Sequence, residues 1–414
     1  MRIDAPPGDG YAVLSGASAA VDPDGSPPPA FSVTVGNAHG EDKATAIPLV
    51  AARLVDAGLA ARHGASALCA VVPTIQQGWL ALGSAGGALA LRPGSHVGEG
   101  NCGARLEPTG SESYSLSGAT QRAADTVVDC LGASGPALHF DLAGRAEVRR
   151  LKVTGAAGSS NGGGLATLGG TLGVVAAEVS GNIGRNGGGI YVGTASALVE
   201  LVRSVVRDNR ASLSGGGVAT LNGGRLSADS SEIRGNVAAW QGGGAFLGGA
   251  TQTFANCTIA NNSCVPCSGG GVTVFSGRVH INASVVDANV ATDNGGGINV
   301  LGGTVDMHAV SLCGNVARFG GGLFGRPRNT QVEQPMIVLV KSIACSNGCT
   351  SASVAAETRC GVRPLHRHLP TMLPTRHVPL CYPVATHNLP RARPSSLQVW
   401  RRLLSRGRSA PLPD

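Results

Sequence analysis

Two cysteines have the spacing in this sequence that most directly suggests chemistry. Cys264 and Cys267 form a Cys-Val-Pro-Cys segment. Such a pair can hold zinc, form a disulfide or remain as two thiols. Because no second pair of cysteines or histidines has matching spacing, the residues favour a disulfide within a loop, with free thiols and a metal site as alternatives. Further along, Cys345, Cys349 and Cys360 lie close enough in sequence to staple a final turn of chain.

Acidic and histidine residues are the next candidates for chemistry. Glycoside hydrolysis requires two facing carboxylates, and lyases typically combine a base with Ca²⁺ held by carboxylates. Charged residues are scattered here, and Asp287 and Asp293 lie on opposite sides of a predicted turn at Asn289. We interpret His280 and His308 as ordinary surface or internally satisfied histidines. The sequence therefore predicts no catalytic residue, no metal and no cofactor, although an enzyme remains the alternative.

Three sequons suggest covalent modification. They begin at Asn256 (Asn-Cys-Thr), Asn261 (Asn-Asn-Ser) and Asn282 (Asn-Ala-Ser), and each is a candidate N-glycosylation site. The chain also contains 11 cysteines. Disulfides and N-glycans both form outside the cytosol, so we expect a secreted or cell-surface protein. The first residues lack the basic and apolar pattern of a signal peptide.

These residues sit within a repeat that is marked by glycine triplets. The triplets recur about every 26 residues, which is typical of a solenoid. They occupy Gly162–Gly164, Gly187–Gly189, Gly215–Gly217, Gly242–Gly244, Gly269–Gly271, Gly295–Gly297 and Gly320–Gly322.

A column of asparagines runs in phase with the triplets. An apolar residue stands three positions before each asparagine, and another follows each triplet, so each repeat contains short alternating segments typical of strands. Asparagine tolerates left-handed backbone, and stacked amides can hydrogen-bond as a ladder. The predicted ladder residues are Asn182, Asn209, Asn236, Asn262, Asn289 and Asn315.

The repeat length selects one architecture. A unit of about 26 residues cannot enclose a core alone, so successive units must stack. Equivalent strands then form parallel sheets with neighbours about 4.8 Å apart, and parallel crossovers are right-handed. The sequence therefore predicts an all-β fold, a right-handed parallel β-helix of about eleven coils.

The flanking segments divide the chain further. Residues 1–40 are rich in Pro, Gly, Ser and Ala and are expected to be a disordered leader. Apolar residues at roughly helical spacing in 41–65 predict a short helix that caps the coil. The β-helix is assigned to 66–360, and 361–414 is expected to be a disordered basic tail rich in Pro and Arg.

Charge and hydropathy limit the partners. The net charge is +7, but nine Arg of the tail account for the excess, so the body is nearly neutral. We therefore expect no nucleic-acid partner. No run of residues is long and apolar enough for a membrane span.

Aromatic residues give the sequence its candidate binding surface. One outward column contains Tyr191, Phe246 and Phe324, while Trp240 and Phe319 precede triplets near the same edge. Exposed aromatics can stack on sugars or anchor a protein partner. The alternative is that they pack against loops and bind nothing.

Several motifs carry a family resemblance. TVVDC at 126–130, GPALHF at 135–140, LKVTG at 151–155 and the repeated GN…GGGI pattern resemble the polymorphic outer membrane protein repeats of chlamydiae, within the pectin-lyase-like superfamily. The resemblance covers about 120–350 and implies a β-helix of the cell surface. Chlamydial members are adhesins with a C-terminal membrane barrel, whereas 361–414 lacks alternating apolar strands.

Together these observations predict a non-catalytic extracellular or cell-surface β-helix. It would act as an adhesin, a structural rod or a surface that binds a glycan or protein of the extracellular matrix. The alternative is a polysaccharide lyase or glycoside hydrolase of the pectin-lyase-like type.

Overall fold

Parallel strands dominate the described part of the chain. The computed structural model describes residues 74–82, 86–107, 113–325, 336–345 and 347–349. Four short strands are described outside these ranges: Val13–Leu14, Val50–Arg53, Cys69–Val72 and Tyr382–Pro383. The predicted leader and tail lie almost entirely outside the described residues, as does most of the compact unit Pro383–Asp414.

Each regular coil contains four strands, which we number from the glycine triplet onward. In one coil the first strand is Ile190–Val192, the second Leu198–Val202, the third Val205–Arg207 and the fourth Arg210–Ala211. Every strand pairs in parallel with its equivalent in the next coil; Val218–Thr220, for example, continues the stack of first strands. The solenoid predicted from the triplets is therefore present.

First and second strands belong to one 20-stranded sheet. The first strands are Ala104–Leu106, Leu138–Phe140, Leu165–Thr167, Ile190–Val192, Val218–Thr220, Ala245–Ala255, Val272–Asn282, Ile298–Val300 and Leu323–Gly325. The second strands are Gly87–Leu91, Ser113–Gly118, Arg145–Arg149, Thr171–Val175, Leu198–Val202, Arg225–Asp229, Thr304–His308 and Met336–Val340. Two long strands, Ala245–Ala255 and Val272–Asn282, supply both positions in their coils.

The other strands form two narrower sheets. Third strands make a 10-stranded sheet and fourth strands an 8-stranded sheet that ends with Tyr382–Pro383. The third strands are Gly94–His96, Thr126–Asp129, Lys152–Thr154, Glu178–Ser180, Val205–Arg207, Glu232–Arg234, Thr258–Ala260, Val285–Asp287, Ser311–Cys313 and Ile343–Cys345. The fourth strands are Ile183–Gly184, Arg210–Ala211, Val237–Ala238, Ser263–Cys264, Val290–Ala291, Val316–Ala317 and Gly348–Cys349.

The described coil completes about nine turns, because ten third strands stack. The sequence predicted about eleven over 66–360. Part of this range builds the cap rather than the coil, and the last described turn is long, with 32 residues between Asn315 and Asn347. Residues 350–360 lie outside the described part of the chain.

The N-terminal cap differs from the prediction. Within 41–65 the described residues Val50–Arg53 are a strand, not a helix, and they pair antiparallel with Gly87–Leu91. Gly87–Leu91 is the second strand of the first coil. Without Val50–Arg53, the backbone N–H and C=O groups on its outer edge would be unpaired. A helix does cover the coil, but it is Ile75–Leu82. Among the described residues, no helix has both the length and the apolar character needed to cross a membrane.

Packing explains why the helix lies at Ile75–Leu82. Ile75, Trp79 and Leu82 are buried at helical spacing. The Trp79 ring stacks on Tyr114 with centroids 4.9 Å apart and meets the edge of Phe140 at 6.1 Å. These rings close the end of the apolar core, which is formed by the inward-facing side chains of the stacked strands. A short 3₁₀ helix, Ala123–Asp125, precedes one third strand.

The six predicted asparagines form a ladder inside the corner between the third and fourth strands. All six are fully buried. The Asn236 Oδ1 accepts from the Asn209 backbone N–H at 3.0 Å and from Asn209 Nδ2 at 3.1 Å. Its own Nδ2 donates to Val206 O and to Asn262 Oδ1, each at 3.0 Å. The structure adds a seventh rung, Asn347, whose longer spacing hides it from the sequence period.

A second ladder, which the sequence did not suggest, follows the second strands. The Ser204 N–H donates to Ser231 Oγ at 3.1 Å, and the Cys257 N–H donates to Ser284 Oγ at 3.0 Å. Cys257 takes a serine position and is the free buried cysteine of the described residues. Burial raises the pKa of its thiol, which donates to Ala255 O.

Each glycine of a triplet is required for a different reason. Gly215 has φ +66°, a backbone conformation that a side chain disfavours. A Cβ at Gly216 would overlap with Gly243 O and would lie only 2.5 Å from Val237 O. A Cβ at Gly217 would lie 3.0 Å from Asn236 Nδ2. The triplet therefore fits the neighbouring coil and the asparagine ladder at once.

We predict that Asn236→Ala lowers the free energy of unfolding by about 3 kcal/mol or more, because it leaves several buried polar groups unpaired at about 1–3 kcal/mol each. Urea unfolding followed by circular dichroism measures the loss. Ser212→Ala, in an exposed loop position of the neighbouring coil, is the control. Equal stability of the two variants would contradict the importance of the ladder.

Candidate functional site

The outer face of the second strands gathers polar residues near the end of the described coil. Residues alternate between the two faces of a strand, so Val279 and Ile281 enter the core while their neighbours face outward. Arg278, His280 and Asn282 lie on one coil. In register beside them on the next coil are Thr304, Asp306 and His308.

Four of these side chains line a cleft of about 280 Å³: His280, Asn282, Asp306 and His308. His280 Nδ1 lies 3.3 Å from Asp306 Oδ2, and Arg278 Nε lies 3.9 Å from the same oxygen. His308 Nδ1 lies 3.2 Å from Asn282 Oδ1. A close contact between His280 and Asp306 and a hydrogen bond between His308 and Asn282 thus link these residues in pairs across the two coils.

An apolar wall completes the cleft. Val338 and Val340 lie in register with Asp306 and His308 on the following coil and also line the cavity. The volume is slightly below the roughly 300–1,000 Å³ of typical ligand pockets. The cleft therefore fits a small amphipathic group that offers hydroxyls or amides to one side and C–H groups to the other, as a sugar ring does.

The cleft offers one acid–base pair. Asp306 can orient His280 as a general base, the role that carboxylates play beside catalytic histidines. Hydrolysis of a glycosidic bond normally uses two carboxylates, whereas the lining contains Asp306 alone. Within the described ranges, no group of three or more His, Cys, Asp or Glu is placed to hold a metal ion.

The sequence analysis interpreted His280 and His308 as ordinary histidines and did not predict that they line a common cleft with Asn282 and Asp306. The repeat contained the missing signal, because advancing each residue by one coil places Asp306 beside His280 and His308 beside Asn282. The outward column of the second strands carries these polar side chains.

The predicted aromatic surface is corrected by the structure. Tyr191 and Phe246 are 7% and 5% exposed, so they do not form an exposed line. They do lie outside the main core, where they pack with Ala166 and Ala219. The residues that cover this cluster are Leu168, Leu221 and Phe275.

Residues that follow the first strands explain this burial. Leu168 and Leu221 lie just after first strands, Phe275 lies within the long strand Val272–Asn282, and all three pack against the outward column. The Phe246 ring lies 5.7 Å from the Phe275 ring, and the Tyr191 ring lies so close to Gly193 that an added Cβ there would be 2.6 Å from Tyr191 Cε1. An outward direction on the strand therefore does not mean exposure to solvent.

The other three predicted aromatics are more accessible but separate. Trp240 is 49% exposed, and Phe319 and Phe324 are half-buried. The Arg318 guanidinium lies 5.0 Å from the centre of the Phe319 ring. The five residues therefore do not form one stacking platform.

Ion pairs elsewhere on the outer faces connect side chains of neighbouring coils. Glu178 lies 2.7 Å from Arg207 and 3.4 Å from Lys152. Burial alone would raise the pKa of Glu178, but the Ser180 hydroxyl and the two cations hold it below its ordinary value. Such partly exposed pairs contribute little stability, typically about 0–1 kcal/mol.

A second mixed cluster lies near the start of the coil. Arg105 pairs with Glu107 at 3.5 Å and lies in register with His139. Burial and the Arg105 charge lower the pKa of His139, against the opposite effect of Asp141 and Glu107. Arg105 and Glu107 are mainly exposed, so this cluster is a solvated charge pair rather than an enclosed site.

Three disulfides are described. Cys264 and Cys267 are bonded within one loop, as the sequence favoured, and both are buried. Cys345 pairs with Cys313 on the preceding coil rather than with its sequence neighbours. Cys349 is also disulfide-bonded, whereas Cys360 lies outside the described residues. The remaining bond joins Cys102 to Cys130.

All three sequon asparagines are exposed. Asn256 and Asn261 lie at bends with φ of 54° and 55°. Asn282 ends a long strand and lines the cleft. The structure therefore separates the three: two lie on corners of the coil and one lies within the candidate site.

Comparison with known proteins agrees with the fold. Residues 137–311 match the model of a protein family described as right handed beta helix region. This range covers the asparagine ladder from Asn182 to Asn289 and the polar side of the cleft. No curated protein and no solved structure matches the chain significantly. Stacked parallel strands and the family match together identify a right-handed parallel β-helix.

We predict that Phe246→Ala lowers the free energy of unfolding by about 3–5 kcal/mol, as for other buried Phe→Ala changes. Trp240→Ala, at an exposed position six residues earlier in the sequence, should cost about 1 kcal/mol or less. Urea denaturation of both variants measures the difference. A larger loss for Trp240→Ala would contradict the assignment of Phe246 to a packed cluster.

Proposed function

We propose that this protein is a non-catalytic β-helix whose outer cleft binds a carbohydrate chain at a cell surface or in an extracellular matrix. The observation that carries the proposal is the cleft itself. His280, Asp306, Asn282 and His308 present paired hydrogen-bonding groups on two adjacent coils, and Val338 and Val340 add an apolar wall. Sugars combine these two kinds of surface.

The periodicity of the coil favours an extended polymer. Equivalent outward positions recur with each coil at the strand spacing of about 4.8 Å, which is comparable with the length of one sugar unit in an extended chain. A polysaccharide lying along the coil axis could therefore meet similar side-chain positions repeatedly. Stable backbone pairing would keep these positions fixed without an ordering cost on binding.

Localisation at the surface is part of the proposal. The disulfides at Cys102–Cys130, Cys264–Cys267 and Cys313–Cys345 suit an oxidising compartment, and the asparagines of the three sequons are exposed. The resemblance of the repeats to chlamydial polymorphic outer membrane proteins favours an adhesive role within this proposal.

A second candidate is a polysaccharide lyase or glycoside hydrolase. The observation that favours it is the 3.3 Å approach of His280 Nδ1 to Asp306 Oδ2, which would orient the imidazole as a base. The two candidates differ in one outcome, since an enzyme shortens the polymer that it binds. The length of the polysaccharide after incubation with the protein therefore distinguishes the two candidates.

We predict that His280→Ala and Asp306→Asn each weaken polysaccharide binding about tenfold or more, because a hydrogen bond involving a charged group contributes about 1.5–3 kcal/mol. Immobilised cell-wall and matrix polysaccharides are the probes, with affinity measured for unglycosylated full-length protein. Ser227→Ala is the control, since Ser227 occupies the same outward column two coils earlier.

Unchanged affinity of His280→Ala, or no binding by the unaltered protein to any polysaccharide, would overturn the proposed function. Release of shorter chains by the unaltered protein but not by His280→Ala would replace it with the enzymatic candidate.

A further inference from the structure

Asn282 is the one sequon asparagine that lines the cleft. It is the last residue of the strand Val272–Asn282 and lies in register with His308. Its sequon continues through the exposed Ala283 to Ser284, which is a buried rung of the serine ladder. Asn282 is therefore both a candidate N-glycosylation site and a residue of the candidate binding site.

The amide of Asn282 is oriented for modification. Its Oδ1 is engaged by His308 Nδ1 at 3.2 Å, and its Nδ2 makes no hydrogen bond to the described residues. At the Asn256 sequon the corresponding nitrogen is occupied, because Asn256 Nδ2 donates to Asp229 Oδ1 at 3.1 Å. A sugar on Asn282 Nδ2 would leave the contact with His308 intact.

We propose that Asn282 is N-glycosylated and that the attached sugar occupies the cleft, so that the modified protein no longer binds its external carbohydrate. The occupancy of the cleft follows from geometry, whereas the loss of external binding rests on the function proposed above. A glycan at Asn256 or Asn261 would extend from a corner of the coil and leave the cleft open.

The reaction balances without a redox step. A bond forms between Asn282 Nδ2 and C1 of an oligosaccharide carried on a lipid diphosphate. The bond from C1 to the diphosphate oxygen breaks, the lipid diphosphate leaves with the electron pair, and the amide gives up one proton. The donor and its transferase belong to the secretory pathway, which is also where the disulfides of this chain would form.

Once attached, the first sugar would be held by the cleft. Asp306 and His308 lie on the adjacent coil within the same lining, and Val340 offers an apolar contact. A volume of about 280 Å³ accommodates only the start of a glycan. The attached sugar and an external chain would therefore compete for the same groups.

The test compares the full chain secreted by animal cells with the same chain made in the bacterial periplasm, where disulfides form without this glycan. Peptide mass spectrometry reads occupancy at Asn282, Asn256 and Asn261. Endoglycosidase digestion of the folded and unfolded protein reads whether each glycan is sequestered. Asn256→Gln, which removes a corner sequon and leaves the cleft unchanged, is secreted from the same animal cells.

The expected result is a glycan at Asn282 that resists the endoglycosidase until the protein is unfolded, and polysaccharide binding at least tenfold weaker than that of the unglycosylated periplasmic protein. Asn256→Gln should bind as weakly as the unaltered secreted protein. An unmodified Asn282, a glycan there that is cleaved as readily in the folded as in the unfolded protein, or equal affinity of the Asn282-modified secreted protein and the periplasmic protein would overturn the inference.

Failure of the proposed function has a different signature. In that case the periplasmic protein binds no polysaccharide, while occupancy and endoglycosidase resistance still decide whether the cleft holds its own sugar.

Discussion

The structure depends on one packed corner, where the glycine triplets of each coil meet the asparagine ladder. A side chain on the third glycine would press on the amide of an asparagine; a Cβ at Gly217, for instance, would lie 3.0 Å from Asn236 Nδ2. The amide in turn uses both of its atoms, accepting twice from Asn209 and donating to Asn262 and Val206. Because these groups are fully buried, a lost partner leaves unpaired polar atoms in a dry interior. The glycines and the asparagines therefore require each other.

Much of this architecture follows from the sequence alone. The spacing of the triplets and the asparagine column together predict stacked parallel strands, since only stacking buries a core for so short a unit. The position of the N-terminal cap was less predictable from the sequence. Ile75, Trp79 and Leu82 have helical spacing, but the prediction followed the apolar residues of 41–65, where Val50–Arg53 instead pair with the open edge of the sheet. Competition for unpaired edge groups is a tertiary effect that local periodicity does not contain.

The candidate site was harder to predict for a related reason. Strand alternation gives the direction of a side chain but not what covers it. Tyr191 and Phe246 point outward and are nevertheless buried beneath neighbouring side chains. His280 and Asp306 come together only when two coils are aligned in register, which requires the exact repeat length between them. The inward and corner positions are constrained by packing, whereas the outer positions of the second strands vary freely from coil to coil, and that freedom is where binding chemistry can arise.

The most direct test of the account compares the free energies of unfolding of Gly216→Ala and Gly132→Ala. Gly216 does not have positive φ, so its replacement probes only the contact with Gly243 and Val237, and overpacking should cost about 2–3 kcal/mol or more. Gly132 has φ +89° with open space around the added Cβ, so its replacement should cost only about 1–2 kcal/mol of backbone strain. A clearly greater loss for Gly216→Ala is the predicted result. An equal or smaller loss would contradict the claim that close packing at the glycine corner holds the coils together.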